Sequence, residues 1–186
     1  MRKLFSFNMV TLDGFFEGPN HSIDWHNVDE EFNEFAVEQT SSLDMILFGR
    51  VTYQLMASYW PTPAAIADDP MIAGLMNRLP KIVFSRTLER ADWENTRLVK
   101  EGAEEEIREL KRQPGKDIAI FGSANLIATL MDVIDEHRVL VNPILLRAGT
   151  PLFKPEGEPL KLKLINTRLF RSGNILLSYQ PARDEL

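Results

Sequence analysis

The stretch DIAIFGSANLIATLM, residues 117–131, contains the junction of a predicted strand and a predicted helix. Its apolar, isoleucine-rich run ends at Gly122, and Ser123, a favourable helix N-cap, follows at once. Leu126 and Leu130 then recur at helical spacing. Taken alone, the stretch favours a simple tight connection, because most strand-to-helix turns are rich in glycine and serine. The same arrangement can also hold a phosphate group.

The rest of the chain alternates between strand and helix patterns in the same way. Strands are predicted at residues 3–10, 44–48, 81–84, 97–99, 118–121, 138–141, 160–169 and 174–180, and helices at 28–40, 50–59, 70–78, 102–112 and 123–133. Ser172-Gly173 marks a hairpin between the last two strands. We therefore expect one α/β domain over residues 1–186, with three layers, a mostly parallel central sheet, helices on both faces and an antiparallel C-terminal hairpin.

Composition narrows the classes of function. The net charge of −6 argues against a general binder of nucleic acid or of anionic membranes, and no apolar run nears the ~20 residues of a membrane span. The absence of cysteine excludes disulfides and thiolate chemistry and fits a cytoplasmic protein. The only histidines, His21, His26 and His137, are scattered, so we expect no metal site, and a surface role for His21 and His26.

A second strand end carries a possible anion site. Gly49 follows the strand at 44–48, and Arg50 and Thr52 open the next helix. The first backbone amides of a helix are unpaired and lie at the positive end of its dipole, so they attract anions. Arginine adds a fork suited to phosphate. A capped helix with one surface arginine explains the same residues equally simply.

A third strand end, Ser85-Arg86, could hold a ribose 2′-phosphate or form a solvated loop. Each of the three signals is weak alone. Parallel strands, however, gather ligands beyond their carboxyl ends, so these residues and the Gly122 turn fall at one edge of the predicted sheet. No G-x-G-x-x-G follows the first strand. If the protein binds a dinucleotide, it does so without the usual fingerprint.

Four segments carry a family resemblance, in the order VTLDGFFEG, MILFGRVTY, PKIVFSRTL and IAIFGSANLIATLMDVIDEHRVLVNPILLRAGTPLF. On them, nearly the whole chain resembles the dihydrofolate reductase-like superfamily. It is most similar to the branch of the C-terminal reductase domain of the bifunctional riboflavin-biosynthesis deaminase–reductase. The resemblance implies NADPH as cofactor, a pteridine- or pyrimidine-type C=N substrate and a homodimer. Dihydrofolate reductase activity proper and a non-catalytic NADPH-binding module stay open as alternatives.

The resemblance also assigns cofactor residues. It implies that the NADPH phosphates contact Gly49, Arg50 and Thr52, and that the adenosine 2′-phosphate side contacts Ser85 and Arg86. The residues implied to cradle the pyrophosphate and nicotinamide ribose are Gly122, Ser123, Ala124, Asn125 and Leu126. One departure from the family is Phe121, which stands where relatives often carry glycine.

Reduction of a C=N bond takes a hydride and a proton. The resemblance points to a carboxylate on the first helix after Trp25, where Asp29, Glu30 and Glu31 are available. Glu31 lies about 80° from the apolar stripe of this helix, whereas Glu30 faces solvent. We therefore expect Glu31 to be the catalytic acid, with a raised pKa. An acidic first turn that stabilises the helix start explains the residues equally well. Asn27 with Glu30 predicts a capping box.

Asp13 is a second catalytic candidate, because riboflavin-type reductases carry a similar Leu-Asp-Gly. Asp-Gly is also a common turn. Thr11, two residues before it, and Phe35, on the first helix, are the candidate substrate-binding residues. Most such aromatic side chains are simply core. The loop after the first strand carries no Arg/Lys cluster that would hold a ribose phosphate.

Overall fold

An eight-stranded sheet and a separate two-stranded sheet form the framework of the computed structural model, which describes residues 2–154 and 157–182. The strands are β1 (Leu4–Thr11), β2 (Phe15–Glu17), β3 (Leu43–Gly49), β4 (Lys81–Phe84), β5 (Thr96–Val99), β6 (Asp117–Phe121), β7 (Glu136–Asn142), β8 (Thr150–Pro151), β9 (Leu162–Leu169) and β10 (Ile175–Pro181). The helices are α1 (Glu30–Ser41), α2 (Arg50–Tyr59), α3 (Pro63–Asp68), α4 (Pro70–Arg78), α5 (Ala103–Arg112) and α6 (Ala124–Leu130), with 3₁₀ turns at Pro19–His21 and Met131–Val133.

The large sheet has the strand order β5-β4-β3-β6-β1-β7-β10-β9. The six strands from β5 to β7 pair in parallel, and all the connections between them except the loop from β4 to β5 include a helix. β10 and β9 pair antiparallel at one edge. The predicted α/β fold with a C-terminal hairpin is confirmed. The domain predicted over residues 1–186 includes positions 1, 155, 156 and 183–186, which lie outside the described residues. Within the described ranges, no helix has the length and apolarity to cross a bilayer.

Three clusters of buried side chains fill the space on the two faces of the sheet. One lies under α5 and α6 and includes Leu4, Ile118 and Ile127. A second, with Phe5 and Phe48, packs against α2 and α4 on the opposite face. A smaller third cluster joins α1 to the hairpin. Burial on both faces explains why the central strands read as continuous apolar runs.

The helix starts follow local sequence signals, with one correction. Asp69 caps α4, its Oδ1 accepting a hydrogen bond from the backbone N–H of Ile72 at 3.1 Å, as the Asp-Pro pair predicts. The capping box predicted at Asn27 is wrong, because α1 is capped by Asp29, whose Oδ1 accepts from the backbone N–H of Phe32. Asn27 instead donates through Nδ2 to the carbonyl of Ser172 at the hairpin turn.

The sequence did not predict the small sheet of β2 and β8. The hydroxyl of Thr150 donates to Oε1 of Glu17 at 2.9 Å, and Nδ1 of His21 lies 2.8 Å from the same carboxylate oxygen. The backbone N–H of Leu152, directly after β8, also donates to the carbonyl of Gly14, directly before β2. The loop after β1 is therefore held by a segment far along the chain.

The outer part of the large sheet exposes apolar side chains on one face. Ile175 of β10 pairs in register with Val141 of β7 and Leu169 of β9, and paired residues share a face. Leu169 is 72% exposed and Ile175 is 40% exposed. Tyr179 lies four residues after Ile175 on the same face of β10, and its partner on β9, Leu164, is also exposed. We call this surface the hairpin face.

The expected surface role of His26 is wrong. Its ring meets the ring of Trp25 edge-on at 4.5 Å, and its Nε2 is buried without a hydrogen-bond partner in the described residues. Burial lowers the pKa of His26 from its ordinary 6.5 to about 4. His21 is exposed, as expected.

This burial predicts acid sensitivity. Between pH 6.5 and 4 the unfolded chain binds a proton at His26 that the folded chain does not, so the free energy of unfolding falls as the pH is lowered. The loss approaches about 3 kcal/mol near pH 4. His26→Phe keeps an aromatic ring and removes the titrating group, and we expect a shallower pH dependence in urea unfolding followed across this range. Parallel pH profiles for the variant and the wild type would contradict the assignment.

Candidate functional site

Two of the predicted strand ends meet at the carboxyl edge of the sheet. The backbone N–H of Gly49 donates to the carbonyl of Gly122 at 3.4 Å. A Cβ on Gly49 would collide with the Ser123 hydroxyl, and one on Gly122 would lie 2.8 Å from Oγ1 of Thr52 and 2.9 Å from Cζ of Phe16. Gly122 has φ +64°, and the Gly122–Ser123 peptide is cis. Both turns therefore depend on glycine for close approach.

The start of α2 presents unpaired amides at this edge. Gly49 is the N-cap and supplies no side-chain hydrogen bond. Arg50 is exposed, and its Nη1 donates to Oε1 of Gln54 at 3.1 Å. The 10-residue helix has no acidic residue in its first turn. Its free amides, its dipole and the exposed Arg50 guanidinium are suited to an anion such as a pyrophosphate.

A cavity of about 660 Å³ lies between the turn after β4 and helix α6. Its lining residues are Arg86, Asn125, Ala128, Thr129, Lys154 and Gly157. Ser85 shapes the turn, since its Oγ accepts hydrogen bonds from the backbone N–H groups of Thr87 and Leu88 at 3.2 and 3.0 Å. The cavity therefore brings together Arg86 and Asn125, two predicted cofactor residues, with the unpredicted Lys154.

A second, open cavity of about 750 Å³ lies between α2 and the segment before β5. Its inner polar groups are paired with one another: the backbone N–H of Trp93 donates to Oη of Tyr53 at 3.0 Å, and Trp93 Nε1 donates to Oδ1 of Asn77 at 2.8 Å. None of the predicted cofactor residues lines it. Its larger volume does not make it the better candidate.

Ala124 and Leu126 belong to the core rather than to an open surface. Their side chains are almost fully buried, and Leu126 packs in the cluster under α6. Only the backbone of these two residues can face a ligand at the glycine turn. Ser123 is half-buried beside Gly49, and Asn125 is exposed in the cavity.

The raised pKa expected for Glu31 is wrong. The backbone N–H of Arg171 donates to Oε2 of Glu31 at 2.9 Å, and this bond is the main cause that holds the pKa of the carboxyl below its ordinary value. The Arg171 guanidinium, at 3.4 Å, and that of Arg168, at 3.7 Å, act in the same direction. The sequence placed Glu31 correctly at the edge of the helix but did not show that the hairpin turn lies opposite it.

Asp13 and Thr11 are engaged in the loop after β1. The pKa of Asp13 is lowered mainly by its hydrogen bond with the Thr11 hydroxyl, and further by the backbone N–H groups of Arg147 and Leu146. Those amides donate to Asp13 at 2.8 and 3.1 Å. The buried Thr11 hydroxyl also accepts from the backbone N–H of Phe15 at 2.9 Å. Both side chains therefore stabilise the loop.

Aromatic rings lead from the glycine turn to the hairpin. Phe121 meets Phe7 edge-on at 6.0 Å, Phe7 contacts Phe35 at 5.8 Å, and Phe35 contacts Phe170 at 5.6 Å. Phe35, the predicted substrate contact, is buried in this row. Phe121 is half-buried and borders the glycine turn directly. A row of apolar rings therefore runs from the glycine turn into the core.

This geometry agrees with what comparison with known families finds. The model of the RibD C-terminal domain matches residues 2–176 of the chain. The chain belongs to the RibD C-terminal domain family. The chain is similar in sequence to the uncharacterized protein YyaP of Bacillus subtilis (strain 168). The two are 36% identical over 174 residues, which cover 91% of this chain and 90% of YyaP.

Solved structures share the family fold at low sequence identity. A protein named for riboflavin biosynthesis from Shewanella sp. PV-4 has a TM-score of 0.75 at 24% identity, over 97% of this chain and 99% of its own. The deaminase/5-amino-6-(5-phosphoribosylamino)uracil reductase of Thermotoga maritima has a TM-score of 0.69 at 13% identity, over 97% of this chain and 57% of its own. Dihydrofolate reductase from Enterococcus faecalis, complexed with NADP(H), has a TM-score of 0.66 at 13% identity, over 97% of both chains. These likenesses show a dihydrofolate reductase-like fold.

Sequence reasoning missed two residues at this candidate site. Phe16 packs over Gly122 because β2 pairs with β8, and a three-residue strand leaves little trace in a sequence. Lys154 lies about thirty residues from the nearest predicted cofactor residue in the chain. A signal existed for Lys154, since it directly follows the GTPLF motif on which the resemblance partly rests.

Proposed function

We propose that the protein is an NADPH-dependent reductase of a C=N bond in a small pteridine- or pyrimidine-type heterocycle. Its activity would be of the kind of 5-amino-6-(5-phosphoribosylamino)uracil reductase. The observation that carries the proposal is the junction of Gly49 and Gly122, where two strand ends approach so closely that a Cβ on either would collide. This junction places the start of α2, whose first backbone amides have no helical partner, beside the Gly122 turn, an arrangement suited to a phosphate chain.

The residues present fit a phosphorylated dinucleotide. The amides at the start of α2, with Arg50 and Thr52, would bind the pyrophosphate. Arg86 would bind the phosphate on the adenosine ribose, in the cavity beside α6. The membership of the family and the named reductases among the structural neighbours support this assignment. When bound, the nicotinamide supplies the hydride.

The proton has a separate source. Addition of a hydride to the carbon of C=N leaves electrons on nitrogen, which must take up one proton. The lowered pKa values of Glu31 and Asp13 keep both carboxylates ionised near neutral pH. We therefore propose that Glu31 accepts a hydrogen bond from a ring N–H of the heterocycle and that solvent provides the proton. Phe121 and Phe7 would support the flat ring.

Binding and turnover test this proposal in two steps. NADPH and NADH are titrated against the fluorescence of the three tryptophans, and quenching by NADPH is expected. No quenching by either nucleotide up to about 1 mM, an affinity weaker than about −4 kcal/mol, overturns the proposal. NADPH absorbance is then followed with dihydrofolate, dihydropterins and the riboflavin-pathway pyrimidine. Oxidation with dihydrofolate alone favours dihydrofolate reductase proper, and binding without any oxidation favours a non-catalytic module.

We also propose that two copies of the chain associate through the hairpin face. Leu169, Ile175 and Leu164 form a row of exposed apolar side chains of the kind that partner surfaces cover. Leu169→Lys is expected to convert a dimer to a monomer in light scattering after size exclusion. Met71→Lys is the matched control, because Met71 is a similarly exposed apolar residue, on α4. A wild-type monomer at all concentrations contradicts this proposal.

A further inference from the structure

Two cations face the cavity beside α6 from separate loops. Arg86 belongs to the turn after β4, and Lys154 follows β8. The other described lining residues are uncharged, and the Thr129 hydroxyl donates to the carbonyl of Asn125 at 3.0 Å. Among the residues that the structure describes, neither cation has an ion-pair partner. Within residues 2–154 and 157–182, the cavity therefore combines two positive charges that have no ion-pair partner with uncharged lining side chains.

Hydrogen bonds and burial hold the backbone close to both cations. Ser85 donates its backbone N–H to the carbonyl of Val99 at 3.0 Å, and its hydroxyl holds the turn that carries Arg86. Leu152, two residues before Lys154, is buried in the core under α6. Its backbone N–H donates to Gly14. Arg86 thus extends from a hydrogen-bonded turn, and Lys154 lies two residues after a buried position, which limits the conformational entropy lost when they bind an anion.

We propose that Lys154 is the second cation of the ribose 2′-phosphate site and, with Arg86, sets the preference for NADPH over NADH. This inference rests on the proposed function. A phosphate monoester carries about −1.5 to −2 charges near neutral pH, which one arginine only partly neutralises. The hydroxyl that NADH carries at this position has no charge, so the attraction of Lys154 applies to one nucleotide and not to the other.

The test measures dissociation constants of NADPH, NADH and 2′,5′-ADP for the wild type, Lys154→Gln and Arg86→Gln. The last ligand contains the 2′-phosphate and lacks the nicotinamide. We expect Lys154→Gln to weaken the binding of NADPH and of 2′,5′-ADP about 3- to 10-fold, as for a partly screened charge pair. The dissociation constant of NADH is expected to change less than about 2-fold. Added salt is expected to weaken NADPH binding more in the wild type than in the variant.

The matched control is Lys163→Gln. Lys163 is an exposed lysine on β9, at the opposite end of the strand order from β4, and its neutralisation removes the same net charge. Equal loss of NADPH affinity in both variants would mean a general charge effect and overturn the inference. So would a Lys154→Gln variant whose NADPH affinity is unchanged, or one in which NADPH and NADH weaken equally.

Failure of the inference and failure of the proposed function give different results. If the wild type binds NADPH and Lys154→Gln binds it equally well, the inference is wrong while the function stands. If the wild type binds neither dinucleotide nor 2′,5′-ADP, both are wrong. Unchanged thermal unfolding of Lys154→Gln, expected because Lys154 is exposed, assigns any change in affinity to the site.

Discussion

Replacing Gly122 with valine is expected to abolish NADPH binding. Gly122 has φ +64°, a region that β-branched residues rarely adopt. Its Cβ would lie 2.8 Å from Oγ1 of Thr52 and 2.9 Å from Cζ of Phe16, so the turn must move away from α2. Movement of this turn separates Gly122 from Gly49, the contact on which the phosphate site depends. We expect at least a 100-fold loss, about 2.7 kcal/mol of binding free energy.

Gly74→Ala is the control for this substitution. Gly74 lies on the exposed side of α4, and a Cβ there meets no atom within 4 Å. Alanine in a helix interior is expected to stabilise the protein by about 0.5 to 1 kcal/mol and to leave NADPH affinity unchanged. A folded Gly122→Val protein that binds NADPH normally in fluorescence titration would remove the Gly122 turn from the site.

Truncation of Phe170 is expected to have the largest effect on stability. Its ring is 1% exposed, meets Phe35 edge-on at 5.6 Å, and lies under the guanidinium of Arg168 at 4.7 Å. Phe170→Ala leaves a cavity between α1 and the hairpin, and such substitutions cost about 3 to 5 kcal/mol. Urea unfolding is expected to show a lower midpoint with an unchanged slope.

Phe153→Ala provides the comparison for Phe170→Ala. The Phe153 side chain is 45% exposed and contacts the ring of His137 at 6.0 Å. Its loss is expected to cost less than about 1 kcal/mol, as for other partly exposed side chains. Similar destabilisation by the two substitutions would contradict the packing described for the hairpin.

The large sheet and its helices were predictable because their signals are local. Asp69-Pro70 marks the start of α4, and Gly49 separates β3 from α2. The small sheet was not predictable, because Phe15–Glu17 is too short for a pattern and pairs with residues more than a hundred positions away. The start of α1 was misplaced at Asn27, although its actual cap, Asp29, is a local signal. What the sequence could not show is that Asn27 bonds to Ser172, 145 positions later.

The candidate site shows the same division between local and distant information. The glycine turns follow from local chemistry, and the structure brings Gly49 and Gly122 into contact as the strand ends predict. The lowered pKa of Glu31 does not follow from local chemistry, because the N–H that lowers it belongs to Arg171, 140 positions later. Lys154 likewise reaches the cavity only through the fold.

The strand order has a consequence for synthesis on the ribosome. β1 lies between β6 and β7, so Leu4 pairs with Ile118 and Phe5 pairs with both Ala119 and Glu136. The first strand made therefore has no partner in the large sheet until more than a hundred further residues have emerged, on the order of ten seconds at usual elongation rates. During that interval its apolar side chains are open to chaperones and to other nascent chains. The wholly non-local pairing of β1 also predicts slow folding after release.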